Sequence, residues 1–133
     1  MLDEAVKYAE EPLVANQIEA HPFLDQSKLL AKCKELDISV TGYCPAARGK
    51  AQANQTLERI GAAHGKSATQ IALRWLVQRS VIPIPRSASP EHQKANLDIF
   101  DFELTGAEIA EIAALKQADG RVVSPPFAPQ WDI

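Results

Sequence analysis

The chain has 133 residues, 46% of them hydrophobic, which is enough to bury the core of one domain. Its 17 acidic and 14 basic side chains give a formal charge of −3 and are spread along the whole chain. The sequence has no basic cluster of the kind that neutralises a phosphate backbone, so nucleic acid is not an expected partner.

Two cysteines, Cys33 and Cys44, are too few for a disulfide framework and fit a compartment that keeps thiols reduced. The chain starts with acidic residues where a secretory signal carries a basic end and an apolar run. No run is apolar for long enough to cross a bilayer. We therefore expect a cytoplasmic protein without a membrane partner.

The first half of the chain alternates between predicted helices and strands. Apolar residues at helical spacing over 2–9 indicate a short helix, and the apolar run 13–18 indicates a buried strand whose end carries polar side chains. A second apolar stripe over 29–36 indicates a helix, and residues 38–43 alternate like a strand before Pro45.

The same alternation continues in the second half. Residues 46–55 are small or polar and predict a surface loop, followed by a helix that Gly65 ends. Ser67 with Gln70 forms a capping-box pattern for the next helix, and residues 81–84 supply a third strand despite their prolines.

Two further helices and a tail complete the predicted elements. One helix begins at Ser89-Pro90 and another at Thr105, and residues from about 118 to 133 read as an extended tail. Three strands alternating with helices predict an α/β fold with a parallel sheet. Three parallel strands leave both sheet edges open and one face poorly covered, so we expect a neighbouring element to be missing.

Patterns for metal, hydrolase and ordinary nucleotide sites are not found. The histidines and cysteines are scattered without ligand spacing, so no metal is expected. The sequence has no GxSxG, no GxGxxG and no Walker glycine loop.

Polar side chains instead follow each predicted strand, at the edge of the sheet where parallel βα folds bind ligands. Each of these residues has an ordinary interpretation, since Gln17 could close a loop, Tyr43 could fill the core and Arg86 could be a solvated charge. Three successive strands that end in this way favour a binding site. Arg86 and Ser87 also precede a helix start, where free backbone donors favour an anion such as a nucleotide phosphate.

At these residues the sequence resembles a known family. The runs VANQIEAHPFLDQSKLLAKCKE, TGYCP and HGKSATQIALRWLVQRSVIPIPRSASPEHQKANLDIFDFELT are similar to the second half of the aldo-keto reductases. The run DGRVVSPPFAPQWD resembles the tail of bacterial members such as those like 2,5-diketo-gluconate reductase. The resemblance implies that residues 1–133 are the C-terminal part of a (β/α)₈ TIM barrel that transfers a hydride from NADPH to an aldehyde or ketone.

The resemblance also implies roles for residues of the first two strand ends. Gln17 would hydrogen-bond the nicotinamide carboxamide, and Tyr43 would stack on the nicotinamide ring. Cys44, Ala46 and residues 49–50 would lie along the pyrophosphate, in a loop that varies between members of the family.

At the third strand end, the resemblance implies an NADP phosphate site. Arg86, where the family usually has a lysine, would contact the 2′-phosphate together with Ser87, and Ala88 would supply neighbouring backbone. Asn96 matches the position that holds the adenine. His92 replaces the usual arginine of this helix, which weakens the preference for NADP over NAD because histidine is charged only near its own pKa of about 6.5.

The resemblance places no catalytic residue in this chain, because the family's aspartate, tyrosine, lysine and histidine belong to a segment before Met1. Of the substrate pocket only the tail is expected here, through Trp131 and Phe127, so the sequence does not identify the small carbonyl substrate. His21 belongs to a His-Pro turn and is interpreted as structural.

Three interpretations follow. The chain is a fragment of a full reductase, an enzyme completed by another chain that supplies the N-terminal half, or a non-catalytic half barrel that binds nucleotide or self-associates. We expect the 133 residues alone to be inactive.

Overall fold

The computed structural model describes residues 2–128. Within this range the elements run, in chain order, as α1 (Leu2–Tyr8), β1 (Ala15–Glu19), α2 (Ser27–Glu35), β2 (Ser39–Tyr43), a 3₁₀ turn (Ala47–Gly49), α3 (Gln55–His64), α4 (Ala68–Gln78), β3 (Val81–Pro83), α5 (Pro90–Leu97) and α6 (Gly106–Ala113). In this range no helix has both the length and the apolar character that crossing a membrane requires.

The three strands form one parallel sheet in the order β1-β2-β3, so β2 is central. The α/β prediction is therefore confirmed. The register sets Gln17 beside Thr41 and Thr41 beside Ile82, while Glu19 lies beside Tyr43. Because side chains alternate across a strand, these residues share one face of the sheet.

The other face carries the core. Ile18, Val40 and Val81 are buried there, in a hydrophobic cluster to which α3 and α4 contribute Leu57, Ile60, Ile71, Trp75 and Leu76. On the first face, which we call the open face, Gln17 is exposed and Ile82 is 57% exposed. The helices therefore cover one side of the sheet only.

The start of the first strand was predicted two residues too early. The apolar run begins at Leu13, but β1 begins at Ala15, and Val14 is 73% exposed. Pairing with β2 decides the boundary, since the ladder starts at the register pair Ala15 and Ser39. Hydrophobicity alone does not show where a partner strand begins.

The helix ends predicted from local sequence patterns agree with the structure. Ser67 with Gln70 forms both halves of a capping box at α4, and Thr105 with Glu108 does the same at α6. Gly65 ends α3 in the left-handed conformation, with φ of 66°. These signals depend on neighbouring residues and so can be recognised in the sequence.

The last helix is tied to the core by polar contacts as well as packing. Trp75 donates its indole N–H to the Ile109 carbonyl at 3.2 Å, and His64 lies 2.8 Å from Glu108. These contacts fasten α6 to α3 and α4 and fix where the chain leaves for the tail.

The turn from α3 to α4 depends on a glycine inside α3. A Cβ on Gly61 would lie 2.4 Å from the Lys66 carbonyl oxygen. We expect Gly61→Ala to lower the free energy of unfolding by about 1–3 kcal/mol because the backbone of this turn must move. Urea denaturation measures the change.

The matched control is Gly106→Ala in the first turn of α6, where an added Cβ meets no atom within 4 Å. Its free energy of unfolding should stay the same or rise by up to about 1 kcal/mol, since alanine favours helix. A Gly61→Ala protein as stable as the control would contradict the close approach.

Candidate functional site

The carboxyl ends of the three strands meet at one edge of the sheet, as parallel pairing requires. This edge carries Gln17 and Glu19 of β1, Tyr43 at the end of β2, and the loop that follows β3. In parallel βα folds, ligands bind at this edge. The candidate site is therefore built here.

Tyr43 occupies the middle of the edge. It is half-buried, lies beside Glu19 in the register, and its carbonyl accepts a hydrogen bond from the Ala20 amide at 3.2 Å. Burial raises the pKa of the Tyr43 phenol, and the Glu19 carboxylate adds to this while Arg121 opposes it. The phenol therefore stays neutral at physiological pH and offers a ring and a hydroxyl.

The loop after β2 departs from the prediction of a surface loop over 46–55. Ala47 and Ala51 are 0% exposed and belong to the core, whereas Arg48 and Lys50 are exposed. Apolar methyl groups are small enough to be buried even in a polar stretch, so composition alone missed this packing.

Three non-glycine residues of this segment have left-handed backbone: Cys44 with φ of 52°, Ala47 with 48° and Arg48 with 53°. Such conformations are costly for residues with a Cβ and persist where the surroundings enforce them. Cys44 is half-buried directly after Tyr43, and Ala46 caps the 3₁₀ turn. The two predicted pyrophosphate residues thus lie in a tightly wound turn at the site edge.

The loop after β3 is held by its own hydrogen bonds. The Ser87 hydroxyl accepts from the Ser89 amide at 3.1 Å, and Gln93 donates to the Ser87 carbonyl at 2.9 Å. Ser89 caps α5, with Pro90 in the first turn. Arg86 and Ala88 are exposed, and among residues 2–128 Arg86 takes part in no ion pair.

Helix α5 buries none of its residues. His92 is exposed in its first turn, and Asn96 is half-buried near its end, in an apolar groove beside the free edge of β3. Arg86, Ser87, Ala88 and His92 therefore gather around the start of α5, and Asn96 lies about one turn further along the helix.

The predicted residues thus fall into three groups along the edge. Gln17 and Tyr43 share the open face, Cys44 and Ala46 lie in the turn after β2, and the remaining five surround α5. Trp131, predicted for the substrate pocket, lies outside the described residues. Within those residues no group of three histidine, cysteine, aspartate or glutamate side chains is placed to hold a metal ion.

Glu19, to which no role is predicted from the sequence, has a side chain that is 0% exposed. Its carboxylate lies 2.9 Å from the His21 Nε2 and accepts hydrogen bonds from the backbone amides of Val122 and Val123. Arg121 approaches it to 3.5 Å. The sequence feature that could have revealed this is a glutamate at the end of a predicted buried strand, because a buried carboxylate needs hydrogen-bond partners.

His21 is buried in the turn after β1, and both of its ring nitrogens have hydrogen-bond partners. Its Nδ1 accepts from the Phe23 amide at 3.3 Å, so the neutral ring donates from Nε2 to Glu19. Burial lowers the pKa of His21, and this outweighs the neighbouring carboxylate, which raises it.

Comparison with known proteins places the chain in a family. The model of the aldo/keto reductase family matches residues 1–117. The chain belongs to the aldo/keto reductase family. It is 39% identical over 121 residues to a glyoxal reductase of Bacillus subtilis, covering 91% of this chain and 44% of that protein.

Solved aldo/keto reductase structures have the same fold. A putative 2,5-diketo-D-gluconic acid reductase B superposes with a TM-score of 0.96 at 43% identity, over 99% of this chain and 48% of that one. A Bombyx mori aldo-keto reductase in complex with NADP superposes with a TM-score of 0.81 at 33% identity, over 92% of this chain and 43% of that one. The chain thus spans less than half the length of these relatives. Its three-stranded sheet corresponds to part of the TIM barrel of this family.

The buried histidine predicts a pH dependence of stability. Because folding lowers the pKa of His21, the unfolded chain takes up a proton near pH 6.5 while the folded chain does not. We expect His21 to make the free energy of unfolding fall as the pH drops below about 6.5, by at most about 1.4 kcal/mol per pH unit. Urea denaturation between pH 5 and about 8 measures this.

His21→Gln supplies the comparison, since glutamine does not titrate. Its free energy of unfolding should depend less steeply on pH than that of the wild type in the same window. Parallel curves for the two proteins would show that His21 does not control acid stability.

Proposed function

We propose that the chain forms the cofactor-binding wall of an NADP-dependent aldo/keto reductase that reduces a small carbonyl substrate. The observation that carries this proposal is the set of groups at one sheet edge: an amide, a half-buried phenol ring and a guanidinium beside a helix start. These match the amide, the aromatic ring and the phosphate of a nicotinamide dinucleotide. Membership of a family with NADP-bound relatives supports the same assignment.

At the nicotinamide end, Gln17 would bind the carboxamide, because its side chain offers both a donor and an acceptor. Tyr43 would stack on the ring and so fix which side of the cofactor faces the substrate. Both residues lie on the open face of the sheet, opposite the face on which the described helices α3 and α4 pack. When bound, NADPH would supply the hydride.

At the centre, Cys44 and Ala46 would line the pyrophosphate through the wound turn after β2. The exposed cations Arg48 and Lys50 in the same turn give this stretch a local positive charge. A negatively charged pyrophosphate is favoured in such surroundings.

At the adenosine end, Arg86 and Ser87 would hold the 2′-phosphate beside the start of α5. The helix start adds free backbone donors and partial positive charge, which favour a phosphate. Ala88 would contribute backbone, His92 would stack on the adenine beside the 2′-phosphate, and Asn96 would hold the adenine. The hydrogen bonds of Ser87 to Ser89 and Gln93 hold the backbone of this loop in place.

None of the residues assigned to the cofactor is proposed to transfer a proton to the substrate. Tyr43 is assigned to stacking and His21 is buried against Glu19, so neither is free to protonate a carbonyl. We propose that the 133 residues alone bind NADP(H) without turning over a carbonyl substrate, and that Trp131 contacts the substrate in a complete barrel.

Arg86→Ala tests the phosphate site. The 2′-phosphate is the large chemical difference between NADPH and NADH, and hydrogen bonds to charged groups are strong. We expect the affinity for NADPH to fall by about 10-fold to 150-fold and that for NADH to change by less than about 3-fold. Fluorescence titration of both cofactors measures the two dissociation constants.

Lys94→Ala, which removes an exposed cation from α5, the helix that follows the Arg86 loop, is the matched control and should change neither affinity by more than about 3-fold. His92→Arg should strengthen NADPH binding by adding a permanent charge. Equal losses for both cofactors in Arg86→Ala would mean that Arg86 supports the loop and does not recognise the phosphate.

A second function, association through the sheet edge, rests on the apolar groove beside β3. This groove has a volume of about 390 Å³, and Leu97 and Phe100 in its wall are 74% and 66% exposed. The free edge of β3 also offers backbone donors and acceptors. A second copy of the chain, or a chain that supplies the rest of a barrel, would cover both.

We expect the 133-residue chain to self-associate at micromolar concentration, as light scattering after size exclusion would detect. Ile82→Lys puts a charge on the exposed edge strand and should shift the chain towards monomer. Ala62→Lys, on the exposed side of α3, adds the same charge elsewhere and should leave the mass unchanged. A wild-type monomer that melts sharply would contradict association through this edge.

A further inference from the structure

Glu19 differs from its neighbours on the open face. Gln17, two residues earlier on the same face, is exposed, whereas the Glu19 side chain is 0% exposed. None of the helices within residues 2–128 covers this face, so another part of the chain buries the carboxylate.

The first part of the tail buries it. Glu19 Oε1 accepts from the Val122 amide at 2.6 Å, and Oε2 accepts from the Val123 amide at 3.1 Å. The Arg121 guanidinium lies 3.5 Å from Oε2. Each carboxylate oxygen is therefore directed at a different backbone amide of the tail, and hydrogen bonds to an ionised carboxylate are short and strong.

A second tie holds the tail at Gly120. A Cβ on Gly120 would lie 1.8 Å from the Phe23 carbonyl oxygen, and the Gln117 amide donates to that same oxygen at 3.0 Å. The backbone of the tail thus touches the segment after β1 immediately before it reaches Glu19. Together these contacts bring residues 120–123 over the carboxyl end of β1.

This position adjoins the proposed nicotinamide site. Glu19 and Tyr43 are register partners on the open face, and the charges of both Glu19 and Arg121 act on the Tyr43 phenol. The tail segment held by Glu19 therefore lies at the same end of the β1–β2 pair as Tyr43.

We propose that Glu19 is a positioning residue: its buried carboxylate holds the backbone of residues 121–123 as one side of the nicotinamide pocket next to Tyr43. This inference rests on the proposed function. A carboxylate that served only general stability would gain from partners anywhere in the core. Instead, both oxygens of Glu19 accept hydrogen bonds from backbone amides of the tail, and His21 Nε2 also lies within hydrogen-bond distance of Oε1.

Glu19→Gln in the full chain tests this. Glutamine keeps the size of the side chain but has one acceptor oxygen, so one tail amide loses its partner. We expect amide hydrogen exchange, followed by mass spectrometry, to quicken by about 10-fold or more over residues 121–124 while the amides of β2 keep their rates. The affinities for NADPH and NADH should fall by a similar factor, because both cofactors share the nicotinamide.

Asp25→Asn is the matched control. Asp25 also joins a segment near β1 to the chain just before the tail, through Lys116 at 2.7 Å, but both side chains are exposed. Neutralising it should leave the exchange of residues 121–124 and both affinities unchanged. If Glu19→Gln fails to fold, Gly120→Ala displaces the tail at its other tie and should give the same pattern.

Unchanged exchange over 121–124 in the Glu19 and Gly120 variants would overturn the proposal. Faster exchange with unchanged affinity for both cofactors would overturn the placement of the tail beside the nicotinamide. If the wild type binds neither cofactor, the proposed function fails, and the nicotinamide part of this proposal fails with it. The exchange rates then decide separately whether Glu19 holds the tail.

Discussion

Parallel pairing of β2 with both of its neighbours is the constraint on which the rest of the structure depends. It brings three strand ends to one edge, although the residues there are separated by dozens of positions in the chain. It also divides each strand into a buried side and an open side. The helices α3 and α4 pack on the buried side, so every polar group of the candidate site faces away from the core or lies in a loop beyond it.

The carboxylate of Glu19 is the exception to this division, because it lies on the open side and is nevertheless buried. An ionised carboxylate without partners would cost several kcal/mol to bury. Two tail amides, a neutral histidine and a nearby guanidinium offset that cost. The same contacts connect residues more than 100 positions apart, so satisfying the charge also determines where the tail runs.

The two ends of the proposed cofactor site are built differently. The phosphate end is formed by residues close together in the sequence, because hydrogen bonds among Ser87, Ser89 and Gln93 close the loop before α5. The nicotinamide end is non-local, since it combines β1, β2 and the tail. The chain spans less than half the length of the solved relatives compared above, and within residues 2–128 the outer edges of both β1 and β3 have no partner strand.

The sequence by itself determined the alternation of strands and helices, the capping boxes at Ser67 and Thr105, and the left-handed end of α3 at Gly65. All of these depend on residues a few positions apart, which pattern and propensity can detect. It also indicated the polar rim, because each strand end carries its own side chains. Only the tertiary structure decided where β1 begins, that Ala47 and Ala51 are buried, and which groups surround Glu19. The physical reason is that each of these depends on a distant partner: a neighbouring strand, the core, or two backbone amides of the tail. Backbone amides have no side-chain identity, so no residue pattern marks which of them a buried carboxylate will meet.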